Sequence, residues 1–299
     1  MLLVGTTRHL EDLDRQLSLA EDVDVTSIAC RSDGRRGHGV YVLMDHERIA
    51  RVDEFELAPV ATLAAPDAQC VASTDDRLIV GRVGAHLATI DLRDGSVAAC
   101  GGFDSIAERD TWENPDGSTV GVGSLAVSAR GSWLVNVRVG GVWRSADEGG
   151  TWRDVVPPDA CVREVAAGAD GTVVAAAAVG FGWSVDDGQT WQWTTEGLDD
   201  AFCTAVALDG DRVYLSASSG PSTSHARLYR GRVGGGFEQC DGGLPGSFSF
   251  DIDTATVSAA DGRVAVGLPT GEVWWSTDAG ATFSRVTERV GQVRTLRFV

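Results

Sequence analysis

The sequence predicts an all-β ring of seven four-stranded antiparallel sheets, a β-propeller, and three observations predict it. Glycine is abundant, 37 of 299 residues against eight prolines, and apolar runs are short, so the chain reads as brief strands joined by tight turns. An eight-residue pattern, S-x-D-x-G-x-T-[WF], occurs three times. A short apolar strand that ends in an Asp or Gly turn, followed by a second β-rich strand, occurs six times.

The pattern occupies Ser145-Ala-Asp147-Glu-Gly149-Gly-Thr151-Trp152, Ser184-Val-Asp186-Asp-Gly188-Gln-Thr190-Trp191 and Ser276-Thr-Asp278-Ala-Gly280-Ala-Thr282-Phe283. The aspartate is expected to accept backbone N–H groups two residues on, as in an Asx turn. The glycine supplies a positive φ where the hairpin reverses. Serine and threonine satisfy the remaining turn groups, and the aromatic ring turns back to pack between neighbouring sheets. A strand precedes each turn: Gly141-Val-Trp-Arg, Phe181-Gly-Trp-Ser and Glu272-Val-Trp-Trp. Trp152 and Trp191 are 39 residues apart, and Trp191 and Phe283 are 92 apart, two periods of 46. Midway, Leu228 to Phe237 reads as a degenerate copy that keeps strand and aromatic but lacks the aspartate.

The six strand pairs begin at Ser27, Cys70, Ser124, Val165, Ala205 and Val257, with partners beginning at Val40, Arg77, Trp133, Thr172, Arg212 and Arg263. The ends supply the seventh sheet. Gln292 to Phe298 reads as a first strand with nothing after it, and Met1 to Gly5 as a second strand with nothing before it. Pairing them, with the C-terminal strand innermost, removes the open edges of the ring. The result is one propeller domain over 1–299, at about 43 residues per blade. Six blades is the competing count, because the N-terminal third lacks the S-x-D pattern.

These segments resemble the Asp-box, or BNR, repeat of sialidase-like propellers, within the broader WD40/YVTN-like group. The resemblance implies a seven-bladed ring whose Asp-box turns (Ser145, Asp147, Gly149, Thr151, Trp152; Ser184, Asp186, Gly188, Thr190, Trp191; Ser276, Asp278, Gly280, Thr282, Phe283) are structural and lie away from any site. A sialidase needs an arginine triad, a tyrosine nucleophile with a glutamate base, and an early R-I-P segment. R-I-P is absent, and Tyr41, Tyr214 and Tyr229, the only tyrosines, all sit inside strands.

The chain carries 43 acidic and 25 basic residues, net −18, and every basic residue other than histidine is arginine. Dense surface carboxylate without lysine is the style of salt-loving archaea, whose proteins stay hydrated in concentrated salt. A GC-rich genome produces part of the same bias. No run of about 18 apolar residues suggests a membrane span, and the start lacks the basic and apolar regions of a secretory signal, so the protein is expected to be cytoplasmic and monomeric. Six cysteines show no C-x-x-C pair and no metal spacing, which predicts free thiols, no metal and no cofactor.

Strands of a blade run A to D from the axis outward. The D–A and B–C connections share one face, the top, and the Asp-box turns share the other. Two segments exceed the period: 101–117, a D–A connection between blades two and three, and 218–225, a B–C connection in blade five. Both are expected on the top, where Trp112 is the candidate aromatic anchor. Arg8, His46, Arg82, Arg138 and His225, with His9 and His86 nearby, fall in B–C connections, and Arg163 and Arg294 at the starts of inner strands. Such a basic cluster suits an anion or phosphate. The alternative is pairing with acids such as Asp45, Glu47 or Asp253. With no P-loop, dinucleotide or zinc-protease motif, the expected function is a non-catalytic scaffold binding a protein, or secondarily a nucleic acid, on the top face. The alternative is a glycoside-hydrolase-like or other small-ligand enzyme at the axial mouth.

Overall fold

A computed structural model describes residues 1–30, 39–54, 56–221, 225–287 and 290–299. It forms seven four-stranded antiparallel sheets. The inner strands A are Val25–Ala29, Ala68–Ser73, Val122–Val127, Val162–Ala167, Phe202–Asp209, Val257–Ala260 and Val293–Phe298, in blades one to seven. The last closes the ring. It pairs with Leu2–Thr6, aligning Leu2 with Phe298 and Val4 with Leu296, and the Met1 ammonium donates to the Val299 carbonyl at 3.1 Å.

The apolar core is divided among the seams. Seven buried clusters each draw on two adjacent blades, as where Leu3 and Leu10 of blade seven meet Val25 and Val42 of blade one. Packing there is tight enough to require glycine. A Cβ on Gly81 would lie 2.6 Å from Val122 Cγ1, and one on Gly5 would lie 2.4 Å from Val25 Cγ1.

The three S-x-D turns are built alike, with one correction to the expected bonding. Asp147 accepts from the Thr151 N–H at 2.8 Å and the Thr151 hydroxyl at 2.7 Å, four residues on rather than two. The Ser145 hydroxyl donates to Asp147 and accepts from the Gly149 N–H. Gly149 has φ 89°, as the turn required. Trp152 Nε1 donates to the Gly149 carbonyl at 3.0 Å, pinning the ring over the turn. Asp186 and Asp278 repeat the arrangement with Thr190 and Thr282. Hydroxyl and backbone donors of Thr282 hold Asp278 at about 2. The two-residue geometry occurs instead in the C–D turns that lack the pattern, where Asp12 accepts from the Asp14 N–H and Asp91 from the Arg93 N–H. These turns complete blades seven and two, and the ring has seven blades rather than six.

All six cysteines are free. Burial pushes Cys70, Cys203 and Cys240 up to about 12. The three tyrosines are buried in the seams, and burial pushes Tyr214 up to about 12.

Candidate functional site

Six of the seven inner strands carry a register shift, in five of them near the top, that leaves an unpaired extra residue on strand A. In blade four Val162 faces Ala177 and Glu164 faces Ala176, so Arg163 is extra. The equivalent residue is Thr26 in blade one, Gln69 in blade two, Gly123 in blade three and Arg294 in blade seven. A bulge re-aims its side chain. Two candidate arginines, Arg163 and Arg294, therefore hold the same structural position, and Arg294 lines the axial cavity. That cavity measures about 1630 Å³ and is lined by all seven inner strands.

On the side of blades seven, one and two, the top-face cations meet carboxylates. Arg82 makes a two-point pair with Asp67, 2.8 Å for each bond. Arg294 lies 3.5 Å from Asp24, and His46 Nε2 lies 3.6 Å from the same oxygen. His46 Nδ1 is 2.8 Å from the Ala68 carbonyl, so this nitrogen carries the proton. Arg8 pairs with Asp22 at 3.2 Å, both exposed. The partners are Asp22, Asp24 and Asp67, each in a D–A connection.

Blades three and four differ. Among the described residues Arg138, in the B–C turn of blade three, and Arg163 have no carboxylate within 4 Å, and the buried Arg163 Nε has no hydrogen-bond partner. The Arg163 guanidinium lies 5.2 Å from the centre of the Phe202 ring, a cation–π arrangement. Its carbonyl accepts from Asn136 Nδ2 at 3.2 Å and Thr254 Oγ1 at 3.3 Å, which fixes the bulge from both sides. Arg138 is held below the ordinary arginine value, first by loss of water around it and then by repulsion from Arg163, with Asp253 opposing.

Beneath them lies Glu164, which sequence reasoning missed. Its two oxygens accept from the Val206 N–H of blade five at 2.8 Å and the Ala255 N–H at 2.9 Å. Burial pushes it up to about 8, while those two donors and Arg297 pull down and Asp253 pushes up. Ala255 belongs to the connection leading into blade six, which reaches across the ring. The Ala255 carbonyl accepts from the Leu296 N–H of blade seven at 2.9 Å, and Thr254 Oγ1 also donates to the Thr204 carbonyl of blade five. Glu164 thus ties blade four to five and six.

Trp112 is not a surface anchor. It is 9 % exposed and packs on Phe103 and Trp143. The 101–117 insertion folds down the flank of blade three, with Phe103 edge-on to Trp152 at 4.9 Å. Arg109 fastens it, donating to the Ala85 and Gly84 carbonyls. His86 sits 2.9 Å from Asp104 of the same insertion. His225 is exposed at the end of 218–225, of which 222–224 lie outside the described residues. Among the described residues no cluster of three His, Cys, Asp or Glu side chains is placed to hold a metal, and no helix is long and apolar enough to cross a membrane.

No family profile and no curated protein matches the chain. Solved structures match in fold. The GH74 xyloglucanase from Xanthomonas campestris superposes with a TM-score of 0.63 at 16 % identity, covering 94 % of this chain and 46 % of that one. An ancestral GH74 enzyme gives 0.62 at 14 %, covering 99 % and 39 %. The extracellular domain of a hybrid two-component system from B. thetaiotaomicron gives 0.57 at 10 %, covering 87 % and 33 %. The chain spans less than half the length of each. At these identities what is shared is the propeller fold, which hosts many unrelated functions.

Proposed function

We propose that the chain is a non-catalytic binding module that recognises an anionic partner on its top face, in the sector of blades three and four. The observation that supports this most is the Arg138–Arg163 pair. In a chain of net −18, two neighbouring guanidiniums without carboxylate partners form a local positive field with unsatisfied donors. A protein bearing an acidic group suits the site better than a nucleic acid. Two arginines give little phosphate-backbone affinity, and concentrated salt erodes it steeply.

The test is affinity capture from the native host at its own salt concentration, using the wild type, an Arg138→Ala/Arg163→Ala double variant and Arg82→Ala. A partner held by the wild type and Arg82→Ala but lost by the double variant is the expected result. The same partner on the double variant, or none on the wild type, rejects the reading.

One observation favours a second reading, an enzyme at the axial mouth. Glu164, pushed up to about 8, shares the large cavity with Asp253, and a pair of carboxyl groups is the means of glycoside hydrolysis. Against it, both Glu164 oxygens are already engaged by backbone donors. Release of reducing ends from xyloglucan, lost in Asp253→Asn, would favour the enzyme. An inactive wild type disposes of it.

A further inference from the structure

We propose that Arg138 and Arg163 together form the receptor for a single phosphate group carried by the top-face ligand. The proposal rests on the binding-face reading above and names the chemistry of that face.

Asn136, two residues before Arg138, donates to the Val162 and Arg163 carbonyls at 3.1 and 3.2 Å, so the two arginines sit side by side at the top of the seam between blades three and four. Arg163 repels the Arg138 charge, and Asp253, beyond ion-pair distance, is the first of the groups that offset it, before Cys161. A monovalent carboxylate can occupy one guanidinium fork and leaves the second charge uncompensated. A phosphate dianion has oxygens enough to accept from both forks and neutralises both charges. The Arg163 half of the site is pre-formed. The bulge aims the Arg163 side chain, Asn136 and Thr254 hold its carbonyl, and the Phe202 ring supports the guanidinium plane. Little Arg163 side-chain entropy remains to be lost on binding. The buried Arg163 Nε has no acceptor among the described residues, and an unsatisfied buried donor is costly enough to call for one. Most other arginines are consumed by aspartates, as Arg82 is by Asp67.

Inorganic phosphate is the probe, titrated into the full chain at fixed ionic strength held with sodium chloride. The readouts are phosphorus NMR line width and thermal midpoint, and sodium acetate is a parallel arm. The expected result is saturable phosphate binding and a much weaker acetate effect. Arg163→Gln and Arg138→Gln should each weaken phosphate at least tenfold without changing the midpoint in chloride alone. Asp253→Asn keeps its turn acceptor and should strengthen binding about twofold to fivefold by removing the nearby negative charge. Acetate binding as well as phosphate overturns the choice of a dianion. Absence of saturable phosphate binding, or binding unchanged in Arg163→Gln, overturns the site. Should the captured partner still depend on Arg138 and Arg163 while phosphate fails, the binding face survives and its phosphate chemistry does not.

Discussion

Two sectors of the top face place arginines at equivalent positions and treat them oppositely. Around blades seven, one and two, the connections entering blades one and two bring aspartates: Asp22 and Asp24 before blade one, Asp67 before blade two. Those aspartates take Arg8, Arg294, His46 and Arg82. Into blades three and four the connections end in Val120-Gly121 and Ala160-Cys161, and Arg138 and Arg163 have no carboxylate within 4 Å among the described residues. The bulge that presents Arg294 also presents Arg163. What separates a paired arginine from an unpaired one is therefore whether an adjoining D–A connection brings an aspartate within reach.

The largest expected effect concerns the underside of the same seam. There Asp187, 4 % exposed, pairs with Arg144 at 2.6 Å and accepts from Ser132. Burial pushes its carboxyl up, but Ser128, Ser132 and Arg144 outweigh it and hold it low. Asp187→Ala leaves Arg144 unpaired and should cost about 3 kcal/mol in denaturant unfolding. Phosphate binding measured well below the midpoint should not change. A loss of binding would mean that the top of the seam depends on its bottom.

Next is Glu164→Gln. An amide nitrogen cannot accept from Val206 or Ala255, so the variant should lose about 1–3 kcal/mol at pH 5. The sign with pH follows from the raised value in the fold. The carboxyl contributes fully below its unfolded value of 4.5, and its contribution is lost as pH rises toward about 8. The gap between wild type and variant should shrink across that range. A constant gap would show that Glu164 does not titrate there.

A smaller effect separates the sectors directly. Arg82→Ala breaks a partly buried two-point pair and should cost about 1 kcal/mol, less in 1 M salt. Arg163→Gln should be nearly neutral for stability and severe for binding. Equal behaviour of the two would erase the distinction. The smallest effect is the converse: Asp67→Asn frees Arg82 and should add a weak second phosphate site, seen as a rise in binding capacity.

Much of the ring was legible in the sequence because strand alternation, the S-x-D turns and the two unpaired ends each report a local rule. Legibility failed where a local rule breaks. Inner strands of blades one to five begin two or three residues before Ser27, Cys70, Ser124, Val165 and Ala205, because the bulge residue interrupts the period of two. Blade six has no bulge, and Val257 was read correctly. The aspartate partners were unreadable because they lie 14 to 270 residues from their cations. Trp112 looked like an anchor because nothing in its own segment reveals Trp143 beneath it. The role of 251–256 rests on hydroxyl and backbone bonds, which leave no periodic trace.

The closing strand makes folding a kinetic problem as well as an architectural one. Leu2 must find Phe298, a closure that spans all six other blades, and its entropy is recovered only after the intervening seams exist. Closure should come after the rate-limiting barrier. Trimming it, as in Leu296→Ala, should speed unfolding in stopped-flow measurements and leave the refolding rate nearly unchanged. The zipper between the ends then sets how long the native ring survives, rather than how fast it forms.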